Sequence, residues 1–224
     1  PPIRISSQNR YGIIRDLTRK ELISLLRKSH KTRLPRARGE SRRSLIDMVS
    51  IHERSVEVLS RAVPGHWEGD LIKGAYNRSA VGTLVERTSR FVLLAKMADA
   101  TADSALEAFT RRFRHVPASI RKTLTYDQGK EMADHAELAR RLKIDIYFAD
   151  PHSPWQRPSN ENMNGTIREY LPKGIDLSVF SQTYLNDIAR ALNNRPRKCL
   201  GFRTPSEVFL ELINNLKSGV ALHS

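Results

Sequence analysis

The pattern of apolar and polar positions changes character near residue 65. Beyond that point, short β-rich runs are separated by turn residues, which is typical of strands. Five runs are predicted as strands: 66–72, 80–86, 91–97, 123–127 and 144–148. Apolar residues at helical spacing predict four helices: one that Thr101 caps and that ends before Pro117, and others over 135–142, 160–170 and 184–192.

The first eight of these elements follow the order β-β-β-α-β-α-β-α, and the helix over 184–192 comes after them. We predict an α/β fold of the ribonuclease-H type, with a mixed five-stranded sheet and helices on its faces. In this order the first and fourth strands lie side by side in the centre of the sheet.

Residues 1–64 have a different character and are predicted to form a small basic helical segment. A helix is expected to begin near Asp16, and a second one over 51–61. Between them, residues 31–43 are rich in Lys and Arg and almost devoid of apolar side chains. We read this stretch as an extended basic arm that contacts DNA or another subunit, the alternative being a solvated linker. The predicted domains are therefore 1–64, a core over 65–215, and a tail over 216–224.

Composition narrows the range of partners. The chain has 224 residues and a formal net charge of +14, which makes nucleic acid the first candidate partner. It has one cysteine, so an internal disulfide and a cysteine zinc cluster are excluded. No apolar run approaches the ~20 residues of a membrane span. We expect a cytoplasmic, nucleoid-associated protein, and because the first residue is Pro1, a piece of a longer chain.

Three acidic residues stand out by their positions. Asp70 lies in the first predicted strand, Asp127 at the end of the fourth, and Glu161 near the start of a helix. Three carboxylates that converge repel one another unless a cation lies between them. Oxygen ligands without His or Cys select a hard ion, Mg²⁺ or Mn²⁺, and two such ions can clamp the attacking and leaving oxygens of a phosphoryl transfer.

Each acid also has an ordinary structural interpretation. Asp127 could be a turn residue, Asp70 a surface residue on an alternating strand, and Glu161 a favourable acid in the first turn of a helix. Taken singly, the ordinary interpretation is preferred. Taken together on this predicted strand order, the three acids indicate a metal site.

Several long motifs resemble one known family. They are RAVPGHWEGDLI (61–72), TLVER (83–87), YDQGKE (126–131), YFADPHSPWQR (147–157), NENMNG (160–165), NNRPR (193–197) and GFRTP (201–205). They are similar to those of the DDE transposases of bacterial insertion sequences, in the insertion-sequence-thirty group of the retroviral-integrase superfamily. The 33 residues between Asp127 and Glu161, positions 128–160, match the spacing of that group.

The resemblance implies that Asp70, Asp127 and Glu161 are the catalytic and metal-binding triad, with two Mg²⁺ or Mn²⁺ ions per active site. It implies metal-dependent cleavage at transposon ends, followed by attack of the freed 3′-OH on other DNA. It also implies a homo-oligomer, at least a dimer on DNA. Further candidate DNA contacts are Lys130, Trp155, Gln156, Arg157, Asn160, Asn164, Arg168 and Lys173.

The sequence departs from the family pattern at three places. Gln128 replaces the usual Asn after the second Asp, Met132 replaces Phe, and Pro158-Ser159 replaces a pair that contains Gly. Proline restricts both its own backbone and that of Arg157, although it is acceptable at a helix start.

Two alternatives to a transposase stay open. One is a ribonuclease-H-like nuclease without strand transfer, and the other is a catalytically silent remnant that only binds DNA. All three acids are present, which favours an active enzyme over the remnant.

Overall fold

The computed structural model describes residues 47–217 and contains one mixed sheet of six strands. The strands are β1 (Val49–Ser50), β2 (His66–Lys73), β3 (Ala80–Glu86), β4 (Val92–Lys96), β5 (Thr123–Tyr126) and β6 (Asp145–Phe148). Their order across the sheet is β1-β6-β5-β2-β3-β4. Strands β2, β3 and β4 form an antiparallel meander, whereas β5 is parallel to β2, and β6 to β5. The predicted α/β class and the central pairing of the first and fourth predicted strands are confirmed.

The sheet gains one strand that the sequence pattern does not reveal. The two-residue strand β1 pairs in parallel with the end of β6, where Val49 faces Tyr147. A pairing of two residues leaves no periodic signal in a sequence. The sheet therefore has six strands instead of the predicted five.

Within residues 47–217, six helices accompany the sheet. They are α1 (Glu57–Ser60), α2 (Ala102–Phe113), α3 (His135–Leu142), α4 (Pro158–Ile167), α5 (Gln182–Asn193) and α6 (Pro205–Lys217). Short 3₁₀ turns cover Ile51–Glu53, Ala75–Asn77, Ala118–Ile120, Lys130–Met132, Pro154–Gln156 and Lys198–Leu200. Thr101 caps α2 by accepting a hydrogen bond from the Ser104 backbone, and α3 has its predicted limits. Helix α6 was not predicted. No helix in the described part of the chain combines the length and apolar character of a membrane span.

Side chains that alternate along the strands divide the core into two layers. Trp67 and Leu71 of β2 pack with Phe109 and Phe113 of α2 on one face of the sheet. Ile72 of β2 packs on the other face, in a cluster with residues of α4 and α5. Glu68 and Asp70 alternate with Trp67 and Leu71, so their side chains lie on the α4 face.

The described part of the predicted N-terminal segment packs on this sheet. In place of one helix over 51–61, the structure has a 3₁₀ turn and the short helix α1, with extended backbone at Arg54 between them. The Arg54 guanidinium donates to Thr125 Oγ1 of β5 at 2.9 Å, a long-range contact that local periodicity cannot anticipate. The predicted helix near Asp16, the basic arm and residues 218–224 lie outside the described residues.

Side-chain amides of α5 cover the exposed edge of the sheet at β4. The Asn193 side chain accepts from the Val92 backbone N–H at 2.8 Å and donates to the Val92 carbonyl at 2.9 Å. Gln182 makes the same pair of bonds with Lys96 N–H and the Leu94 carbonyl. An edge strand with unpaired backbone groups invites association, and these amides satisfy those groups.

We expect Asn193→Leu to lower the free energy of unfolding by about 2–4 kcal/mol, because two buried backbone groups of Val92 lose their partners. Urea denaturation followed by circular dichroism measures the change. Asn194→Leu, at the next and exposed position, is the matched control and should shift the midpoint little. Equal destabilisation by both variants would contradict the bracing role of Asn193.

Candidate active site

Two of the three predicted acids lie together at the centre of the sheet. Asp70 is in β2, and Asp127 directly follows β5, the parallel neighbour of β2. Glu68 is paired with Thr125, so the two aspartates occupy equivalent positions two residues further along their strands. The Asp70 side chain is 19% exposed and that of Asp127 is 42% exposed. A substrate that reaches this end of the strands therefore meets both carboxylates.

The guanidinium of Arg157 lies against both aspartates. Its Nη1 is 3.6 Å from Asp70 Oδ2 and its Nη2 is 3.4 Å from Asp127 Oδ2. Nη1 also donates to the carbonyl of Gly69 at 2.8 Å, which fixes the side chain on β2. Arg157 is 5% exposed, so it supplies an internal positive charge between the two acids.

Glu161 reaches this region because the start of α4 is bonded to β2. The backbone N–H of Asn160 donates to Glu68 Oε2 at 2.9 Å, and the Asn160 side chain donates to the Glu68 carbonyl at 3.0 Å. The same amide contacts the Thr83 hydroxyl at 3.2 Å. Asn160 is fully buried, whereas the neighbouring Glu161 is exposed. The helix therefore presents Glu161 to solvent from a fixed position.

The buried Glu68 carboxylate has a partner for each oxygen. While Oε2 accepts from Asn160, Oε1 accepts from Arg87 Nε at 2.9 Å. Arg87 is itself buried and donates to the Val58 carbonyl of α1. A buried charge is tolerated only when it is paired and hydrogen-bonded, and this network meets both conditions.

The surroundings of Asp70 favour its neutral form or a nearby cation. Burial raises the pKa of Asp70 to about 6, repulsion from Asp127 and Glu161 adds to the shift, and Arg157 opposes it. Asp70 Oδ1 accepts from the Leu71 N–H at 2.8 Å, and Oδ2 accepts from Asn164 Nδ2 at 2.9 Å. The side-chain amide oxygen of Asn164, Oδ1, is buried and has no hydrogen-bond partner.

The oxygen donors at this site are of the kind that binds a divalent metal ion. They are carboxylate oxygens, with the partnerless amide oxygen of Asn164 beside them, and hard cations prefer oxygen ligands. Within residues 47–217, no three acidic, His or Cys side chains stand close enough together to form a ready-made metal site. Arg157 instead provides the positive charge between Asp70 and Asp127.

The candidate DNA contacts fall into three groups by their exposure. Lys130, Trp155 and Lys173 are exposed, with Trp155 at 70%. Trp155 thus does not cover a core edge. The predictions for Arg157 and Asn160 are corrected, because both side chains are buried and bonded to protein groups.

The other three candidates are partly exposed and engaged locally. Gln156 makes two hydrogen bonds of 2.7 Å with Asp150, which shape the loop before α4. Arg168 donates to the Lys73 carbonyl at 2.9 Å and to that of Leu171 at 3.3 Å. Asn164 donates to the Asp70 carboxylate and so orients it.

The departures from the family pattern fit the structure. Pro158 is the first residue of α4, where its missing N–H is not needed. Gln128 Nε2 donates to the Ala149 carbonyl at 3.2 Å and so ties the loop after β5 to the end of β6. Met132 is buried in the core.

Sequence reasoning missed Glu68 and Arg87 as residues that position the site. Glu68 lies two residues before Asp70, so strand alternation places both side chains on one face, and that signal was available. Nothing local identifies Arg87 as the partner of Glu68, because the pairing depends on the β2–β3 register.

Comparisons with known proteins agree on the nature of this core. Residues 60–154 match the family model described as Integrase core domain, a segment that includes Asp70 and Asp127 and ends before Glu161. The catalytic core domain of BIV integrase superimposes with a TM-score of 0.52 at 19% identity, over 68% of this chain and 98% of that one. This likeness supports the fold.

Curated relatives are insertion-sequence transposases. The chain is 55% identical over 220 residues to the transposase for IS1086 of Cupriavidus metallidurans, covering 96% of this chain and 65% of the relative. It is 41% identical over 230 residues to the transposase InsI for IS30A of Escherichia coli, covering 98% and 57%. The chain thus spans about three fifths of the length of these relatives. The resemblance drawn from the motifs is confirmed: over nearly its whole length the chain is similar to insertion-sequence transposases, those for IS1086 and IS30A among them, and residues 60–154 match the integrase core domain.

Proposed function

We propose that this chain contains the catalytic core of a transposase, which cleaves DNA at the ends of an insertion sequence and joins the freed 3′-OH to other DNA. The observation that carries the proposal is the position of Asp70 and Asp127 on adjacent central strands, with Glu161 on the helix that is bonded to β2, in a chain that is 55% identical to a transposase. The net charge of +14 supports a polyanionic partner.

Asp70, Asp127 and Glu161 are the proposed catalytic residues and the ligands of a divalent cation. The cation would supply Lewis-acid stabilisation of charge on the reacting phosphate oxygens. We infer Mg²⁺ or Mn²⁺, and two ions, from the all-oxygen donor set and the type of reaction. Asn164 holds the Asp70 carboxylate in place, and the bonds from Asn160 to Glu68 hold the helix that carries Glu161.

Arg157 is proposed to stabilise the two aspartates before substrate and metal enter. Its contacts of 3.4 and 3.6 Å with the carboxylates are longer than close hydrogen bonds, while its bond to the Gly69 carbonyl is short. Arg157 can therefore keep its hydrogen bond to the Gly69 carbonyl of β2 while the two carboxylates release the guanidinium and bind another cation. One site can serve both hydrolysis and strand transfer, because both reactions are in-line displacements at phosphorus and differ only in the nucleophile.

Exposed groups around the acids are proposed to contact DNA. Trp155, in the turn before α4, presents its indole for stacking on a base near the cleaved bond. Lys130 and Lys173 are candidate phosphate contacts. Two transposon ends must be held at once, so we propose at least a dimer on DNA, with residues 1–64 in end or subunit contacts. We propose that the protein acts at the bacterial nucleoid.

We expect Glu161→Gln to abolish end cleavage in Mg²⁺ or Mn²⁺, because the substitution removes a proposed metal ligand. The fold should stay intact, because the Glu161 side chain is exposed. Removal of one group from a preorganised site commonly lowers the rate by about 10²–10³-fold. The measurement uses a labelled duplex that carries the end of the element and scores nicked and joined products separately.

Glu169→Gln, an exposed glutamate shortly after α4, is the matched control and should cleave like the wild type. Undiminished cleavage by Glu161→Gln would contradict its assignment. Nicking without joining by the wild type would favour a nuclease, and tight binding without any cleavage would favour a remnant.

We also expect Mn²⁺ to raise the thermal midpoint of the wild-type protein in the absence of DNA. A cation at about 100 times its Kd stabilises the folded state by about 2.7 kcal/mol. For a domain of this size that corresponds to a shift of about 5–10 °C. Asp70→Asn and Asp127→Asn should reduce the shift, and Asp187→Asn, on the exposed face of α5, should keep it. An unchanged shift in the two site variants would place the cation elsewhere.

A further inference from the structure

A cavity of about 240 Å³ lies beside the candidate active site and is lined by three arginines. Arg61 ends α1, Arg90 lies in the turn before β4, and Arg197 follows α5. The rest of the lining comes from α4 and from the single cysteine of the chain. These residues are Pro158, Ser159, Asn162, Met163 and Cys199. Three separate parts of the chain therefore direct cationic side chains to one cavity.

These arginines carry more positive charge than their surroundings neutralise. Among the described residues, no carboxylate forms an ion pair with any of the three. Arg90 donates to the Ser159 hydroxyl, and Arg197 donates to the Leu192 carbonyl at 3.3 Å. The Arg197 Nε is buried and has no hydrogen-bond partner. Glu169 favours the charged form of Arg197, but no carboxylate in the described part of the chain lies within ion-pair distance of the three guanidinium groups.

Two further features increase the positive potential of the cavity. Helix α4 begins at Pro158 on its wall, and the N-terminal end of a helix carries a partial positive charge. Burial lowers the pKa of Arg197, the neighbouring positive charge of Arg195 lowers it further, and Cys199 and Glu169 oppose both effects. An anion in the cavity would favour the charged form of Arg197.

The cavity adjoins the proposed catalytic residues through α4. Asn162, on the cavity wall, directly follows Glu161, and its side chain is rotated about 100° from that of Glu161 around the helix. Asn164 of the same helix contacts Asp70. A DNA strand that crosses the start of α4 can therefore reach the acids and the three arginines together.

We infer that this cavity binds a backbone phosphate of the DNA strand, next to the phosphate that is cleaved. This inference rests on the proposed function and specifies where the substrate backbone lies. A guanidinium group can donate two parallel N–H bonds to the oxygens of one phosphate, and the three arginines offer several such donor pairs.

The first test compares DNA binding of the full chain with Arg61→Gln, using fluorescence anisotropy of a labelled 25-bp duplex. Arg61 is chosen because Arg90 and Arg197 also bond to protein atoms. We expect weaker binding, and a salt dependence of log K whose slope is smaller by about 0.9 for the lost phosphate contact. Arg61→Lys should recover part of the affinity, because it restores the charge without the fork.

Arg111→Gln is the matched control. It removes one exposed arginine from α2, on the opposite face of the sheet, and should leave affinity and salt slope nearly unchanged. Thermal midpoints of all variants confirm folding. If Arg61→Gln and Arg111→Gln bind DNA alike, the cavity is not a phosphate site, even where the wild type binds and cleaves DNA as proposed.

The second test uses Cys199 as a built-in probe and needs no arginine variant. Cys199 is exposed and is the single cysteine of the chain, so iodoacetamide labels one position on the cavity wall. We expect the duplex to slow this alkylation several-fold, and the protection to weaken in Arg61→Gln. An unchanged rate under saturating DNA overturns the inference. Failure of the wild type to bind any DNA overturns the proposed function and the inference together.

Discussion

The arrangement of the candidate site depends on the buried carboxylate of Glu68. One of its oxygens accepts from Arg87 at 2.9 Å, and the other accepts from the Asn160 N–H at 2.9 Å. The carboxylate thus joins strand β2, the β3–β4 turn and the first turn of α4. Loss of one partner of a buried ion pair leaves an uncompensated charge, which typically costs about 3–5 kcal/mol. The geometry of Glu161 relative to Asp70 is therefore tied to the stability of the core.

A second electrostatic constraint acts at the exposed end of the same strand. Asp70 and Asp127 lie on adjacent strands, and the Arg157 guanidinium lies against both. The folded protein thus carries its own counter-charge where the proposed function requires a metal ion. The three arginines of the neighbouring cavity have no such internal partner among the described residues. Arg157 thus balances the charge of the two aspartates, whereas the cavity arginines beside them keep their positive charge. Such a surface suits a phosphate backbone and a divalent ion.

The sequence predicted those parts of the fold that depend on local pattern. Strand alternation identified β2 and β5, and helical spacing identified α3 with its limits, so Asp70 and Asp127 could be placed on neighbouring strands. Features that depend on long-range contacts were not predicted. Strand β1 forms only by pairing with β6, and the conformation of residues 51–61 depends on contacts such as that of Arg54 with Thr125. The burial of Arg157 and Asn160 was missed for the same reason, since composition makes both residues resemble surface contacts.

The most direct test of the central claim is a crystal structure of the protein grown with Mn²⁺, with anomalous diffraction used to locate the ion. We expect an anomalous peak among Asp70, Asp127 and Glu161, with both aspartates turned from Arg157 to the ion and the Arg157 bond to the Gly69 carbonyl retained. An ion bound at another place, with Arg157 still in contact with both aspartates, would contradict the account.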